Sequence, residues 1–216
     1  SFFKRNGLAI ALGILGFVFL FKIGEAFLGR MSIVFYKEMG FSKGDIALYS
    51  KGIGWITTVV FTLLGGLFAI RSGVIKAMFV SGILMAGTNL LFAALAWSGK
   101  SEWLFATAVL LDDIAAAFAT VAFVAFISLL VDRTYTATQY ALLASIGTLG
   151  RTTLAGSSGW MVDTLEKGTD FVLFSRFSLS IPSVENPWAV FFVITTVMVI
   201  PSLILLWFIR NKLKVQ

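Results

Sequence analysis

The chain has 216 residues, of which 58% are hydrophobic and only 13% charged, and it contains no cysteine and no histidine. A water-soluble domain of this size could not stay dispersed with such a composition, so we expect lipid to surround much of the protein. The net charge of +6 does not indicate nucleic-acid binding, because the basic residues lie at the ends of apolar segments rather than in one patch. Without cysteine or histidine, disulfides, thiolate or imidazole metal sites and Cys or His nucleophiles are excluded, and we expect no metal, cofactor or catalytic residue.

Long apolar segments predict six membrane-spanning helices. Apolar runs of about 20 residues between short polar connectors are typical of spanning helices, whereas barrel strands are about ten residues long and strictly alternating. At about 1.5 Å per residue, every predicted helix can cross roughly 30 Å of hydrocarbon. The predicted fold class is therefore all-α, a polytopic membrane protein. The six helices occupy residues 7–36, 46–70, 74–97, 102–131, 138–165 and 188–210.

The two ends of the chain are polar and basic. Ser1 opens a segment without the organisation of a signal peptide, which indicates a piece of a longer protein. We interpret residues 1–6 as the end of a central cytoplasmic loop, 7–210 as a six-helix transmembrane bundle and 211–216 as a cytoplasmic tail.

The distribution of Lys and Arg predicts the orientation in the membrane. Six spans place both termini on the same side, and that side carries more basic residues than the other, so we expect both termini to be cytoplasmic. The far side holds the one long connector, residues 166–187. The basic residues of the first side are Lys4, Arg5, Arg71, Lys76, Arg133, Arg210, Lys212 and Lys214, and those of the far side are Lys37, Lys43, Lys100, Lys167 and Arg176.

Glycines recur within the predicted spans. Because lipid provides no hydrophobic drive between helices, close backbone packing supplies much of their association. We therefore expect helix contacts at Gly13, Gly16, Gly65, Gly66, Gly147, Gly150, Gly156 and Gly159.

Ionisable residues also lie inside the predicted spans. Each costs roughly 2.5 to 3.5 kcal/mol at a helix centre on insertion scales, so each needs a partner or a water-filled cavity and is a candidate functional residue. They are Lys22, Glu25, Arg30, Lys51, Asp112, Asp113 and Arg151.

Helical periodicity separates these charges by face. Lys22, Glu25 and Arg30 are spaced by three and eight residues and share nearly one face of the first helix. Asp112 and Asp113 are adjacent and about 100° apart, so we expect one to face the lumen of the bundle and the other a neighbouring helix.

Two interpretations of the charges remain open. Lys22 could pair with Glu25, and Arg151 with an aspartate, as buried pairs that only maintain packing. However, four cations face three acids, and the excess positive charge suits an anionic ligand. Arg30 and Lys51 lie near the outer ends of their helices and could instead extend to the membrane interface.

Several stretches together resemble the AmpG-type muropeptide permeases of the major facilitator superfamily, along the whole chain as the second half of that fold. A Lys-x-Gly-acid motif, a lysine early in the second helix and a run from Ala-Thr-Gln to Gly-Arg carry the resemblance, whereas Arg-x-Gly is generic. The stretches are FKIGEAF at 21–27, GFSKGDIALYSKGIG at 40–54, GGLFAIRSG at 65–73, AVLLDDI at 108–114, TVAFVAF at 120–126 and TATQYALLASIGTLGR at 136–151.

The resemblance implies proton-driven import of anhydromuropeptides across the bacterial inner membrane, with an anionic sugar-peptide, protons, membrane lipids and a missing N-terminal six-helix half as partners. Arg151 and Lys22 would bind substrate carboxylates, and Lys51 and Gln139 would be further contacts. Glu25, Asp112 and Asp113 would be the proton-coupling candidates. The chain departs from the family pattern at Asp113, where an amide is expected, and at Gly156–Ser157, where Gly-Pro is expected.

One alternative is transport of another anionic solute, such as a siderophore, a peptide or an acyl-CoA. The protein could also be a membrane-embedded enzyme or a non-transporting scaffold. An enzyme would depend on the Asp112/Asp113 pair, whose side chains diverge. A scaffold would not need seven charges within its spans.

Overall fold

A computed structural model describes residues 8–130, 136–173 and 177–210 of the chain. The predicted terminal segments, 1–6 and 211–216, lie outside these residues, so the structure does not describe the two chain ends that we expect to be cytoplasmic. The helices, in chain order, are α1 Leu8–Leu20, α2 Ile23–Glu38, α3 Lys43–Ala47, a π-helix Leu48–Ile53, α4 Gly54–Ser72, α5 Val74–Ser98, α6 Glu102–Leu130, α7 Thr136–Ala155, α8 Ser158–Lys167 and α9 Pro187–Ile209.

The described residues contain five helices that are long and apolar enough to cross a membrane. They confirm the prediction of an all-α, polytopic membrane protein and match the first, second, third, fourth and sixth predicted helices. These spans are Ala9–Glu38, Lys43–Ser72, Val74–Ser98, Glu102–Leu130 and Pro187–Ile209.

The fifth predicted helix, 138–165, is wrong as a single helix. α7 ends at Ala155 and α8 begins at Ser158, so the break falls on Gly156–Ser157. The hydroxyl of Ser157 donates to Leu154 O at 2.7 Å and that of Ser158 donates to Ala155 O at 2.7 Å. Side-chain hydroxyls that bond to nearby carbonyls offer the backbone an alternative to the helix, and glycine is a poor helix former.

Two predicted helices contain local irregularities. The first span turns at Phe21–Lys22, between α1 and α2, although Phe21 N–H still donates to Phe17 O at 2.8 Å. The second span contains the π-helix between α3 and α4, with Lys51 in it. π-segments inside α-helices are rare and occur often at functional sites.

The long connector predicted at 166–187 contains a hairpin. Strand β1, Thr169–Leu173, pairs antiparallel with β2, Phe177–Ile181, and Thr169 lies opposite Ile181.

The core consists of two apolar clusters, one towards each end of the bundle. We name the cluster that contains the end of the first span the outer cluster, and the one that contains its beginning the inner cluster. The outer cluster includes Phe35, Phe92, Phe105, Phe191 and Phe192, and the Phe35 and Phe192 rings meet edge to face with centroids 4.8 Å apart. The inner cluster includes Phe17, Phe21, Met78, Met85, Phe126 and Leu206. The outer cluster starts at Ile23 and the inner cluster ends at Phe21 on the first span, so Lys22 lies at their junction.

Glycines on α7 let it approach α1 closely. A Cβ at Gly150 would meet the carbonyl oxygen of Phe19 and lie 2.8 Å from Phe19 Cδ2, and one at Gly147 would lie 3.5 Å from Val18 O of α1 and 2.9 Å from Phe123 Cζ of α6. These contacts confirm the expected role of both glycines in helix packing. Gly159 does not share that role, because a Cβ there would meet no atom within 4 Å.

We expect Gly150→Ala to destabilise the full-length protein by about 1–3 kcal/mol, because the new methyl group meets rigid backbone that cannot move aside. The matched control is Gly87→Ala, since Gly87 is helical with no atom within 4 Å of the added Cβ. That change should leave the stability equal or slightly higher, because alanine favours a helix. Thermal unfolding in detergent measures both, and equal midpoints for the two variants would contradict the close approach of α7 and α1.

Candidate functional site

Polar side chains fill the junction between the two apolar clusters. The polar layer, as we name it, consists of Lys22, Glu25, Thr88, Asn89, Asp112 and Asp113. On α5, Met85 belongs to the inner cluster and Phe92 to the outer one, with Thr88 and Asn89 between them. On α6, Val109 and Ala115 flank the two aspartates in the same way.

Lys22 is the most connected charge of the polar layer. Its ammonium lies 3.2 Å from Glu25 Oε2 and donates to Thr120 Oγ1 of α6 at 2.9 Å. The side chains of Lys22 and Glu25 are each only 14% exposed. Lys22 also lies at the turn between α1 and α2, so its contacts join the irregular point of the first span to α6. The Lys22–Glu25 pair that the packing interpretation required is therefore present.

The two aspartates face different neighbouring helices. Asp112 Oδ1 accepts a hydrogen bond from Thr88 Oγ1 of α5 at 3.1 Å, and this carboxylate interacts electrostatically with Glu25. Asp113 Oδ2 lies against Gly54 of α4, where a Cβ would collide with it, and this buried oxygen has no hydrogen-bond partner among the described residues. The divergence predicted from helical geometry is thus present, with Asp112 directed to α5 and Asp113 to α4, whereas the expectation that one of them faces the lumen is not confirmed.

Arg151 does not form the ion pair with an aspartate that the packing interpretation required. Within the described part of the chain, Lys22–Glu25 is the one ion pair at 4 Å or less. Arg151 is exposed on α7 and lines two clefts. One, of about 180 Å³, also contains Lys22 and Thr120, and the other, of about 270 Å³, also contains Arg30.

Two predicted contact residues lie away from these clefts. Gln139 is on the same helix as Arg151 but twelve residues earlier, which is about 18 Å along the axis. Lys51 is exposed in the π-helix of the second span and interacts electrostatically with Asp113. The structure therefore brings Lys22, Glu25 and Arg151 into one region but does not bring Gln139 or Lys51 into the clefts.

The threonines of the site were not among the predicted residues. Thr120 receives the Lys22 hydrogen bond, and Thr88 donates to Asp112. Spacing along α6 gives no signal for Thr120, because Asp112, eight residues earlier, faces α5 whereas Thr120 meets Lys22 of the first span. Nor does any signal link Thr88 to Asp112, because they lie on different helices. Among the described residues, no group of three or more His, Cys, Asp or Glu side chains is arranged to hold a metal ion.

We expect Lys22→Met to destabilise the full-length protein by about 3–5 kcal/mol, because it leaves the Glu25 carboxylate in the polar layer without its cation. Adding Glu25→Gln should restore much of this loss, since the uncompensated charge disappears. Thr120→Val is the control, which removes only a hydrogen bond and should cost about 0.5–1.5 kcal/mol. Thermal unfolding of the wild type, the three single variants Lys22→Met, Glu25→Gln and Thr120→Val, and the double variant measures the coupling. Additive effects of the changes at Lys22 and Glu25 would contradict a stabilising pair.

Comparison with known proteins places this arrangement among transporters. No protein-family model matches the chain. It is 32% identical to the putative transporter AmpG 4 of Rickettsia conorii, over 100% of the chain and 46% of that protein. It is 27% identical to the anhydromuropeptide permease of Escherichia coli K12, over 99% of the chain and 39% of the permease. It is 26% identical to the putative transporter AmpG 1 of Rickettsia prowazekii, over 98% of the chain and 44% of that protein.

The chain spans a little under half the length of these relatives, which is consistent with the predicted half of a two-half transporter. The match extends along essentially all of it, and the apolar helices are those of a multi-pass membrane protein. The chain is therefore similar along its whole length to AmpG-type transporters, and it has the apolar spans of a multi-pass membrane protein.

Proposed function

We propose that this chain is the C-terminal half of a major-facilitator transporter that imports anhydromuropeptides together with protons. The observation that carries the proposal is Arg151, an exposed cation on α7 that has no acidic partner among the described residues and lines two clefts. A guanidinium in this environment binds a carboxylate through two parallel hydrogen bonds. Anhydromuropeptides carry carboxylates and sugar hydroxyls, and a relative named an anhydromuropeptide permease covers essentially the whole chain.

Substrate binding centres on the cleft shared by Lys22 and Arg151. Its walls are otherwise polar at Thr120 and Thr148 and apolar at Phe123 and Val124, a mixture suited to a sugar-peptide with both kinds of surface. Lys51 and Gln139 are further substrate contacts in this proposal, and they would reach parts of the solute that extend beyond the cleft.

Transport is coupled to protons because the substrate and Glu25 compete for Lys22. In the structure the ammonium of Lys22 pairs with Glu25, and the Asp112 carboxylate lies near Glu25. A substrate carboxylate that binds Lys22 draws it from Glu25, and two neighbouring carboxylates then share the buried polar layer without a cation. A proton bound by Glu25 or Asp112 relieves this repulsion. Asp113, whose Oδ2 has no hydrogen-bond partner among the described residues, is the third candidate to carry the proton.

Another anionic solute, such as a siderophore, a peptide or an acyl-CoA, is the alternative substrate, because the clefts recognise negative charge rather than one chemical skeleton. Competition of these compounds with a labelled anhydromuropeptide separates the two. An enzyme that used Asp112 and Asp113 together is disfavoured, since the two side chains face different helices. A non-transporting scaffold does not account for an Arg151 without an acidic partner in the described residues.

We propose that the protein lies in the bacterial inner membrane with both ends of this segment in the cytoplasm. In a full-length protein without other cysteines, an impermeant thiol reagent applied to intact cells should label Glu102→Cys, between the third and fourth helices, but not Lys76→Cys, between the second and third. Both residues are exposed, and permeabilised cells should label both. The reverse pattern on intact cells would show that the orientation is inverted.

We expect neutralisation of the proton carrier to separate exchange from accumulation. Glu25→Gln or Asp112→Asn should keep counterflow exchange of an anhydromuropeptide in proteoliposomes but lose uptake driven by an imposed pH difference. Arg151→Lys should behave differently. It keeps the charge but loses the two-pronged geometry, and should weaken substrate binding by roughly 1.5–3 kcal/mol in both assays.

All rates are normalised to folded transporter. If both neutral variants retain pH-driven accumulation, neither carboxylate carries the proton. If all three variants lose folded protein equally, the charges only maintain packing.

A further inference from the structure

The cleft between α2 and α7 presents two guanidinium groups. Arg30 and Arg151 both line it, and the other lining residues are Ala26, Gly29, Thr152 and Ala155, with no carboxylate among them. Within the described residues neither arginine has an acidic partner within 4 Å. A cleft of about 270 Å³ lined by two unneutralised cations attracts an anion.

Depth in the membrane makes this arrangement unfavourable unless water, an anion or the other half of the transporter fills the cleft. Arg30 lies six to seven residues from the middle of the span Ala9–Glu38, which is about 10 Å along the axis. The hydrocarbon extends about 15 Å from its midplane, so the backbone of Arg30 lies within it. Charged residues at such depth face water-filled cavities or partners and mark substrate pathways. The sequence alone also allowed Arg30 to extend to the interface, and in the structure Arg30 is exposed and lines the cleft with Arg151.

Gly29 keeps this cleft open. It is exposed in the middle of α2, and an added Cβ would meet no atom within 4 Å. Gly24 on the same helix has a packing role, because a Cβ there would lie 2.9 Å from Val199 Cγ2. Glycine is among the least favourable residues inside a helix. No packing within the described structure requires a glycine at position 29. Because glycine has no side chain, it leaves space beside the two arginines.

Arg151 connects this cleft to the one that contains Lys22. Lys22, Ala26 and Arg30 follow one another at intervals of four residues along the first span, so they lie along one side of it. Lys22 and Arg30 are about 12 Å apart along the axis, and Arg151 on the facing helix lines both clefts. The three cations form a row with room for two separate anionic groups.

We propose that Arg30 and Arg151, with Gly29 between them and the open cleft, bind a second carboxylate of the transported solute, so that the transporter selects elongated solutes with two carboxylates on the order of 10 Å apart. This inference rests on the proposed function. The first carboxylate binds at Lys22 and Arg151, and the second at Arg151 and Arg30.

The test uses the full-length transporter and two forms of one anhydromuropeptide, with the carboxylate at the end of its peptide either free or converted to an amide. Counterflow in proteoliposomes gives the half-saturating concentration of each form. For Arg30→Gln, we expect this concentration to rise about 10-fold or more with the free acid, as expected for the loss of a charged hydrogen bond. With the amide, the variant should match the wild type, because the group that Arg30 binds is already missing.

Gly29→Leu tests the cleft without removing a charge. Its side chain should fill the space and raise the half-saturating concentration of the free acid. Gly87→Leu is the matched control, since Gly87 is also an exposed helical glycine with open space around its Cβ and should leave the transporter unchanged. If Gly29→Leu instead lowers the amount of folded transporter while Gly87→Leu does not, Gly29 serves helix packing and the inference is overturned.

A lipid headgroup is the other source of an anion. Thermal unfolding in phosphatidylglycerol and phosphatidylcholine nanodiscs distinguishes it from a solute. If Arg30→Gln removes stabilisation by phosphatidylglycerol and leaves the discrimination between free acid and amide intact, the cleft is a lipid site and the inference is overturned. If the wild type discriminates the two forms but Arg30→Gln does so equally well, only the Arg30 assignment fails. If the wild type carries neither form, the proposed function fails as well.

Discussion

A charged group in a lipid-embedded helix bundle needs a partner or a water-filled cavity, and Lys22 has two partners. Its ammonium holds Glu25 on its own span and Thr120 on α6. The residue lies where α1 ends and α2 begins, so the first span changes its backbone geometry at the point where it carries the charge. An event that removes Glu25 or Thr120 from Lys22 therefore acts at the place where the helix is already irregular. This geometry places the charge and its partners at the interruption of the helix.

The polar layer surrounds Lys22 at the junction of the two apolar clusters. Phenylalanines and other large apolar side chains fill the bundle above and below it, and the layer separates two cores rather than interrupting one. Thr88 and Asp112 satisfy each other there, whereas Asp113 Oδ2 and Asn89 Nδ2 are buried with no hydrogen-bond partner among the described residues. Buried polar atoms without partners are rare in folded proteins and are unfavourable. Their concentration in this layer fits a region that changes its contacts as a solute passes.

Charge is distributed unevenly about the layer. Glu25 and Asp112 lie between the first span, α5 and α6, and Asp113 faces α4, whereas the cations Lys22, Arg151 and Arg30 line the clefts between the first span and α7. Lys22 belongs to both groups. A solute anion in the clefts and a proton among the carboxylates would therefore influence each other through one side chain, which is the physical requirement for coupling two ligands.

Composition and periodicity alone determined that the chain is an all-α membrane protein, where five of its spans lie and which charges lie within them. Those features are local, because an apolar run of sufficient length must form a helix in lipid whatever its neighbours. The same reasoning missed the break at Gly156–Ser157 and the hairpin within residues 166–187, since both depend on short-range competition for backbone hydrogen bonds.

Only the tertiary structure decided which charges meet. It selected the Lys22–Glu25 pair, added Thr120 and Thr88 as partners, and left Arg151 beside Arg30 rather than beside an aspartate. Helical periodicity gives the face of a residue on its own helix but not which helix packs against that face. Contacts between helices arise from close approaches such as Gly150 against Phe19, and these depend on the shape of both surfaces together.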